Sequence, residues 1–139
     1  MRKLLLLAAA AAPLLAAASP GSLDVTVTGL KNTRGALIAC LWNEKSGFPT
    51  CQKSPSAVKL KAPITGATVK VTFPNVAPGS YAVSVQHDED SDGKLKTNFI
   101  GMPKEGVGVS NNPGGIPSFG KAEVRINGNG AITIQMRYL

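Results

Sequence analysis

The sequence is poor in the residues from which most catalytic and nucleic-acid-binding surfaces are made. It has one histidine, two cysteines and one tryptophan, and aromatics make up only 5% of it. Too few aromatics, with lysines scattered singly from Lys31 to Lys121, exclude a base-stacking platform for single-stranded nucleic acid. There is no Gly-x-Ser-x-Gly elbow, and with His87 as the only imidazole Ser110 has no second histidine to activate it. Beyond residue 18 no apolar run approaches the ~20 residues a membrane span needs. Acidic residues are scarce too, eight against fifteen basic ones, for a formal net charge of +7.

The chain begins with a basic Met1-Arg2-Lys3, a leucine- and alanine-rich core, and Ala16-Ala17-Ala18 before Ser19-Pro20-Gly21. That is the pattern of a cleaved secretory signal over residues 1–18. Pro13 and the short apolar core argue against a retained anchor, and no cysteine follows for lipid attachment. A short linker, 19–22, and a single domain, 23–139, are expected. Without Arg2 and Lys3, thirteen basic residues face eight acidic ones, a net of +5. Such a charge gives a weak, salt-sensitive attraction to anionic surfaces such as an envelope polysaccharide. The expected location is periplasmic or secreted, as a monomer without a stable membrane anchor.

In an oxidising compartment, Cys40 and Cys51 are expected to pair. Closing a loop of about 12 residues stabilises by roughly 3 kcal/mol in the chain-entropy account. Period-two patterns predict strands at Leu23–Thr28, Val58–Lys61, Val69–Phe73, Tyr81–Val85, Ala122–Ile126 and Ile132–Tyr138. Gly35–Trp42 is apolar on both faces, as an inner strand should be. Pro74 to Gly79 has the composition of a rigid turn, and Asn127-Gly128-Asn129-Gly130 that of a final hairpin turn. The fold class is therefore all-β: one β-sandwich of about seven strands with Greek-key connections.

Within this pattern one stretch stands out. Four of the eight acidic residues, Asp88, Glu89, Asp90 and Asp92, fall within five positions, followed by Gly93-Lys94. Crowded like charges repel. Alternate carboxylates with a glycine for the sharp turn suit a hard cation such as Ca²⁺. The expected ligands are the side chains of Asp88, Asp90 and Asp92 and the Lys94 carbonyl, with Glu89, Asn98 or Glu105 completing the shell. The run is not an EF-hand: Phe99 stands where a bidentate Glu would close the site, Lys96 takes the ninth position, and strands flank it. A solvated Asp-Gly hairpin tip is the alternative.

His87 shares the parity of Tyr81, Val83 and Val85 and is expected to cap the core, with a role beside the aspartates as the alternative. From Thr97 to Gly120 the chain has little periodicity but too many apolar residues for disorder, so an ordered loop is expected. Its Asn98, Lys104, Glu105, Asn111 and Asn112 offer a polar surface for a glycan or peptide, unless the asparagines serve Asx-turns. Trp42 is either a sugar platform or cover for the disulfide loop.

The chain resembles the DUF2141 family of exported bacterial proteins of uncharacterised function. The residues that carry this are Val25–Leu30, Gly47-Phe48-Pro49, Pro78–Val83, His87–Asp90 with Asp92–Leu95, Thr97–Gly106, and Ser110-Asn111-Asn112. The Pro-Gly-x-Tyr strand running into an acidic loop is also similar to transthyretin-like and carboxypeptidase-regulatory modules, which implies an Ig-like or transthyretin-like sandwich. The resemblance brings no established activity. An acidic residue is usual in the family where this chain has Lys96, which leaves one ligand fewer. The cysteine pair is not general there, so the disulfide rests on spacing and compartment.

The function expected from all this is a non-catalytic sandwich, Ca²⁺-braced at Asp88–Gly93, that binds an envelope partner or polysaccharide through residues 97–119. The alternatives are a small hydrolase or transferase using His87, and a purely structural envelope protein without a small ligand.

Overall fold

A computed structural model of the protein describes residues 19–94 and 105–138, so the expected signal segment 1–18 lies outside it. Among the described residues eight strands form two sheets: β1 (Gly21–Thr28), β2 (Ala36–Trp42), β3 (Val58–Pro63), β4 (Val69–Val76), β5 (Gly79–Asp88), β6 (Val107–Val109), β7 (Val124–Ile126) and β8 (Gly130–Gln135). One sheet has the order β4-β1-β8. The other runs β3-β2-β5-β6, with β7 pairing a second stretch of β5. The all-β sandwich expected from the alternating pattern is the fold found.

The core lies between the sheets. Leu23, Val25 and Val27 of β1 lie beside Val69, Val71 and Phe73 of β4 and across from Leu37, Ala39 and Leu41 of β2, with Val83, Val85 and Ile134 completing the core. Each fully buried aliphatic of this set contributes about 1.5–3 kcal/mol.

Strand β2 is buried along its whole length because its other face is covered as well. Ile38, Cys40 and Trp42 pack there against Cys51, Ala82, Val109 and Ala122. The cover is the irregular segment 43–57, which the Cys40–Cys51 disulfide ties to β2 with Cα atoms 6.1 Å apart. Trp42 is fully buried, meets Phe48 edge-on with centroids 5.1 Å apart, and donates its indole N–H to Ser84 Oγ at 2.8 Å. Of its two expected roles it takes that of cover.

Four local expectations are corrected. Gly21 and Ser22 belong to β1, not to a linker, and Ser22 donates its N–H to Asn129 Oδ1. Strand β4 continues through Pro74 to Val76, which a proline permits on an edge strand where its missing N–H faces no partner. The long loop contains an eighth strand, β6, and ends in one helical turn, Phe119–Ala122. Finally, β7 and β8 do not form a hairpin. Strand β7 pairs β5 in the larger sheet while β8 runs parallel to β1 in the smaller one, so residues 127–129 carry the chain between sheets. A two-glycine turn reverses the chain without specifying what pairs with it.

Candidate metal centre

The site forms where β5 leaves the larger sheet. Parity places Gln86 and Asp88 on the outer face of β5 and His87 on the inner one, and all three are buried. The Asp88 carboxylate has no solvent exposure. The loop wraps around it: Oδ2 accepts the Gly93 N–H at 2.8 Å, Oδ1 the Asp92 N–H at 3.3 Å, and the Asp88 carbonyl the Ser91 N–H at 3.3 Å. Positive φ angles at Ser91 (56°) and Gly93 (74°) make the tight path. Asp92 Oδ1 accepts the Lys94 N–H at 2.8 Å, which holds the end of the turn against the cluster.

Asp88, Asp90, Asp92 and Glu105 bring carboxylate oxygens within 4.8 Å of one another. Glu105 returns from the far end of the loop and is buried, and its Oε2 accepts the Glu89 N–H at 2.9 Å. Burial pushes the Asp88 carboxyl above its usual range, and Asp90 and Asp92 add to this against the pull of the Gly93 N–H. A cation would reverse that balance by compensating the buried charge.

Glu89, an expected shell member, turns the other way. It pairs with Lys31 at 3.3 Å and Arg34 at 3.0 Å. Burial opposes its ionisation, but Lys31 and Arg34 outweigh it and hold its carboxyl below the usual range. The turn that carries Lys31 and Arg34 ends at Gly35, whose φ of 70° and close approach to the backbone of Asp88 and Glu89 leave no room for a side chain.

Beneath the loop, His87 Nε2 lies 2.7 Å from the Arg34 carbonyl and Nδ1 2.7 Å from Tyr138 Oη. A carbonyl only accepts, so Nε2 carries the proton. In the neutral ring Nδ1 then accepts from Tyr138, whose oxygen takes the Lys31 N–H at 3.2 Å. His87 is thus fully buried with both nitrogens engaged, at the core end of its strand as its parity indicated.

The other expected site residues are dispersed. Asn98 and Lys104 lie outside the described residues. The Asn111 amide donates to the carbonyls of Lys121 and Glu123. Asn112 accepts the Gln135 N–H at 2.8 Å and donates to the Thr133 carbonyl at 3.1 Å. Both side chains therefore serve backbone, but on distant segments and not through the Asx-turns expected within the loop. Ser110 is fully buried between Val83 and Ala122, bonded to the backbone of both.

Sequence reasoning missed Gly35, Arg34, Gln52 and Gln86. Gln52 Nε2 donates to Gln86 Oε1 at 3.1 Å and to the Gly93 carbonyl at 2.7 Å, tying the disulfide-bonded cover to the acidic loop. No local signal marks a glutamine for such a contact; only the fold brings positions 52, 86 and 93 together.

Compared with known protein families, residues 25–135 match the one described as an uncharacterised protein conserved in bacteria (DUF2141). No curated protein and no solved structure matches the chain. Among the described residues no helix is long and apolar enough to cross a membrane.

Proposed function

The chain belongs to the DUF2141 family, and on that premise we propose a non-catalytic, exported β-sandwich module whose acidic turn binds Ca²⁺. It acts in the periplasm or outside the cell, where the ion braces the segment after β5 and that segment meets an envelope protein or polysaccharide. One observation carries the metal reading: a fully buried Asp88 carboxylate with three further carboxylates in reach, all within 4.8 Å. Ca²⁺–oxygen distances of about 2.3–2.6 Å place opposite ligands up to roughly 5 Å apart, so the cluster fits one such ion. An all-oxygen donor set without His or Cys selects a hard cation over zinc.

The fully engaged His87 favours the non-catalytic reading over a hydrolase or transferase, which would need its ring to reach a substrate. For partner binding, the amides of Asn111 and Asn112 are occupied. The surface offered by the described part of segment 97–119 is the tip around Ile116, which is 81% exposed.

Thermal melting in EDTA and again in about 1 mM Ca²⁺ tests the brace. A Kd near 10⁻⁴ M, usual for weak extracellular sites, adds about 1.4 kcal/mol and raises the midpoint by roughly 5 °C. An unchanged midpoint sinks the reading.

A further inference from the structure

Gln86 holds the one buried side-chain polar atom among the described residues that has no hydrogen-bond partner, its Nε2. The residue is 6% exposed and sits two positions before Asp88 on the same face of β5. Its orientation is fixed by logic and not by choice of amide flip. The Gly93 carbonyl can only accept, so Gln52 must present its nitrogen there. That same nitrogen contacts Gln86, which must therefore present its oxygen to Gln52 and leave Nε2 over. A buried donor without an acceptor is disfavoured, and such atoms mark the place of a water, ion or ligand oxygen.

Gln86 and Asp88 share one face of β5, and Gln52 joins the Gln86 oxygen to Gly93, whose N–H meets Asp88 Oδ2, so the amide lies beside the acidic turn. A chain of carboxylate, Ca²⁺, water and amide nitrogen spans up to roughly 7–8 Å, so a donor beside the turn can serve the ion through one water without touching a carboxylate. We propose that Gln86 Nε2 donates to a water ligand of a Ca²⁺ ion held by Asp88, Asp90, Asp92 and Glu105, with Gln52 locking the amide in place. Gln86 is then a positioning residue of the centre and not a ligand. The inference rests on the metal reading given above. It deepens that reading by assigning a protein-held water to a shell whose four carboxylates leave room among the roughly 6–8 oxygens a Ca²⁺ ion takes.

The test is calorimetric titration of wild type, Gln86→Met and Asp88→Asn with Ca²⁺ alone, alongside melting of each in EDTA. Methionine keeps the volume and removes the donor, and with it the oxygen that Gln52 meets, while Gln52 keeps the Gly93 carbonyl. Outer-shell partners of metal ligands are worth about 10- to 100-fold in affinity, so Gln86→Met is expected to bind at least about tenfold more weakly. In EDTA it should melt no lower than wild type, because relief of the unpaired buried donor offsets the lost bond from Gln52. Weaker binding with an equally lowered metal-free midpoint would mean a structural role and overturn the proposal. So would wild-type affinity in Gln86→Met when Asp88→Asn no longer binds, since the amide would then meet ordinary water. If wild type itself takes up no Ca²⁺, the metal reading fails and takes this inference with it.

Discussion

The Glu105 carboxylate accepts the backbone N–H of Glu89 at 2.9 Å, although 16 residues of chain separate them. This contact closes the loop that leaves β5, and it places Glu105 beside the aspartates in the carboxylate cluster. One side chain thus both pins the loop and adds charge to the centre.

Glu105→Gln separates these two roles. The amide oxygen can still accept the Glu89 N–H, but a negative ligand is gone. Ca²⁺ affinity is expected to fall on the order of tenfold, since charge count tunes such sites. In EDTA the variant should melt at or above wild type, because carboxylate crowding is relieved. Calorimetry with paired melting curves checks both signs, and a variant that binds Ca²⁺ as wild type does removes Glu105 from the shell.

The disulfide prediction concerns the cover over β2. Replacing Cys40 and Cys51 with alanine should cost about 3 kcal/mol in urea unfolding. Trp42, the only tryptophan and fully buried beneath the cover, reports on it: its emission should shift to the red. Because Gln52 follows Cys51 and bonds to Gly93, Ca²⁺ affinity should fall as well. A double variant with native emission and native affinity would show that the cover stays in place without its covalent tie.

Glu89 predicts a pH dependence. Its folded carboxyl lies below the ordinary value of 4.5, so the unfolded chain takes up its proton first as pH falls. Its contribution is therefore present above that value and lost as pH drops through the lower folded one. With Lys31 and Arg34 both well exposed, screening limits the effect to about 1 kcal/mol at neutral pH. Glu89→Gln should lose that amount at pH 7 and converge with wild type in acid. A gap that stays constant with pH would assign the effect to packing.

Asn112 blunts an edge. Its amide meets the N–H of Gln135 and the carbonyl of Thr133 on the outer side of β8, imitating a neighbouring strand. Asn112→Gly tolerates the φ of 46° and removes only the side chain. The expected cost is about 1–2 kcal/mol, with a greater tendency to self-associate through the bared edge. Urea titration and light scattering check this, and a variant as stable and monomeric as wild type would refute it.

Alternation in the residues made most strands legible in advance. Leu23, Val25 and Val27 sit where a period of two puts them, and the doubly apolar β2 is covered on both faces. The acidic run announced its own cluster, because repulsion among neighbouring carboxylates is written in the local spacing. What spacing could not say is which distant chain arrives beside it. Glu105 was one of three shell candidates and Glu89 another, and they part because Lys31 and Arg34 fold against Glu89. The turn at 127–129 was recognisable as a turn but not as a crossing between sheets.

The sequence by itself determined the alternation, the crowding of charge after β5 and the cysteine spacing, since these depend on neighbours within a few residues. Tertiary structure decided that β8 lies parallel to β1, that Gln52 locks Gln86, and that Glu105 joins the aspartates. Those contacts join residues 16 to about 110 positions apart, and they form only when two faces bury their apolar surface together.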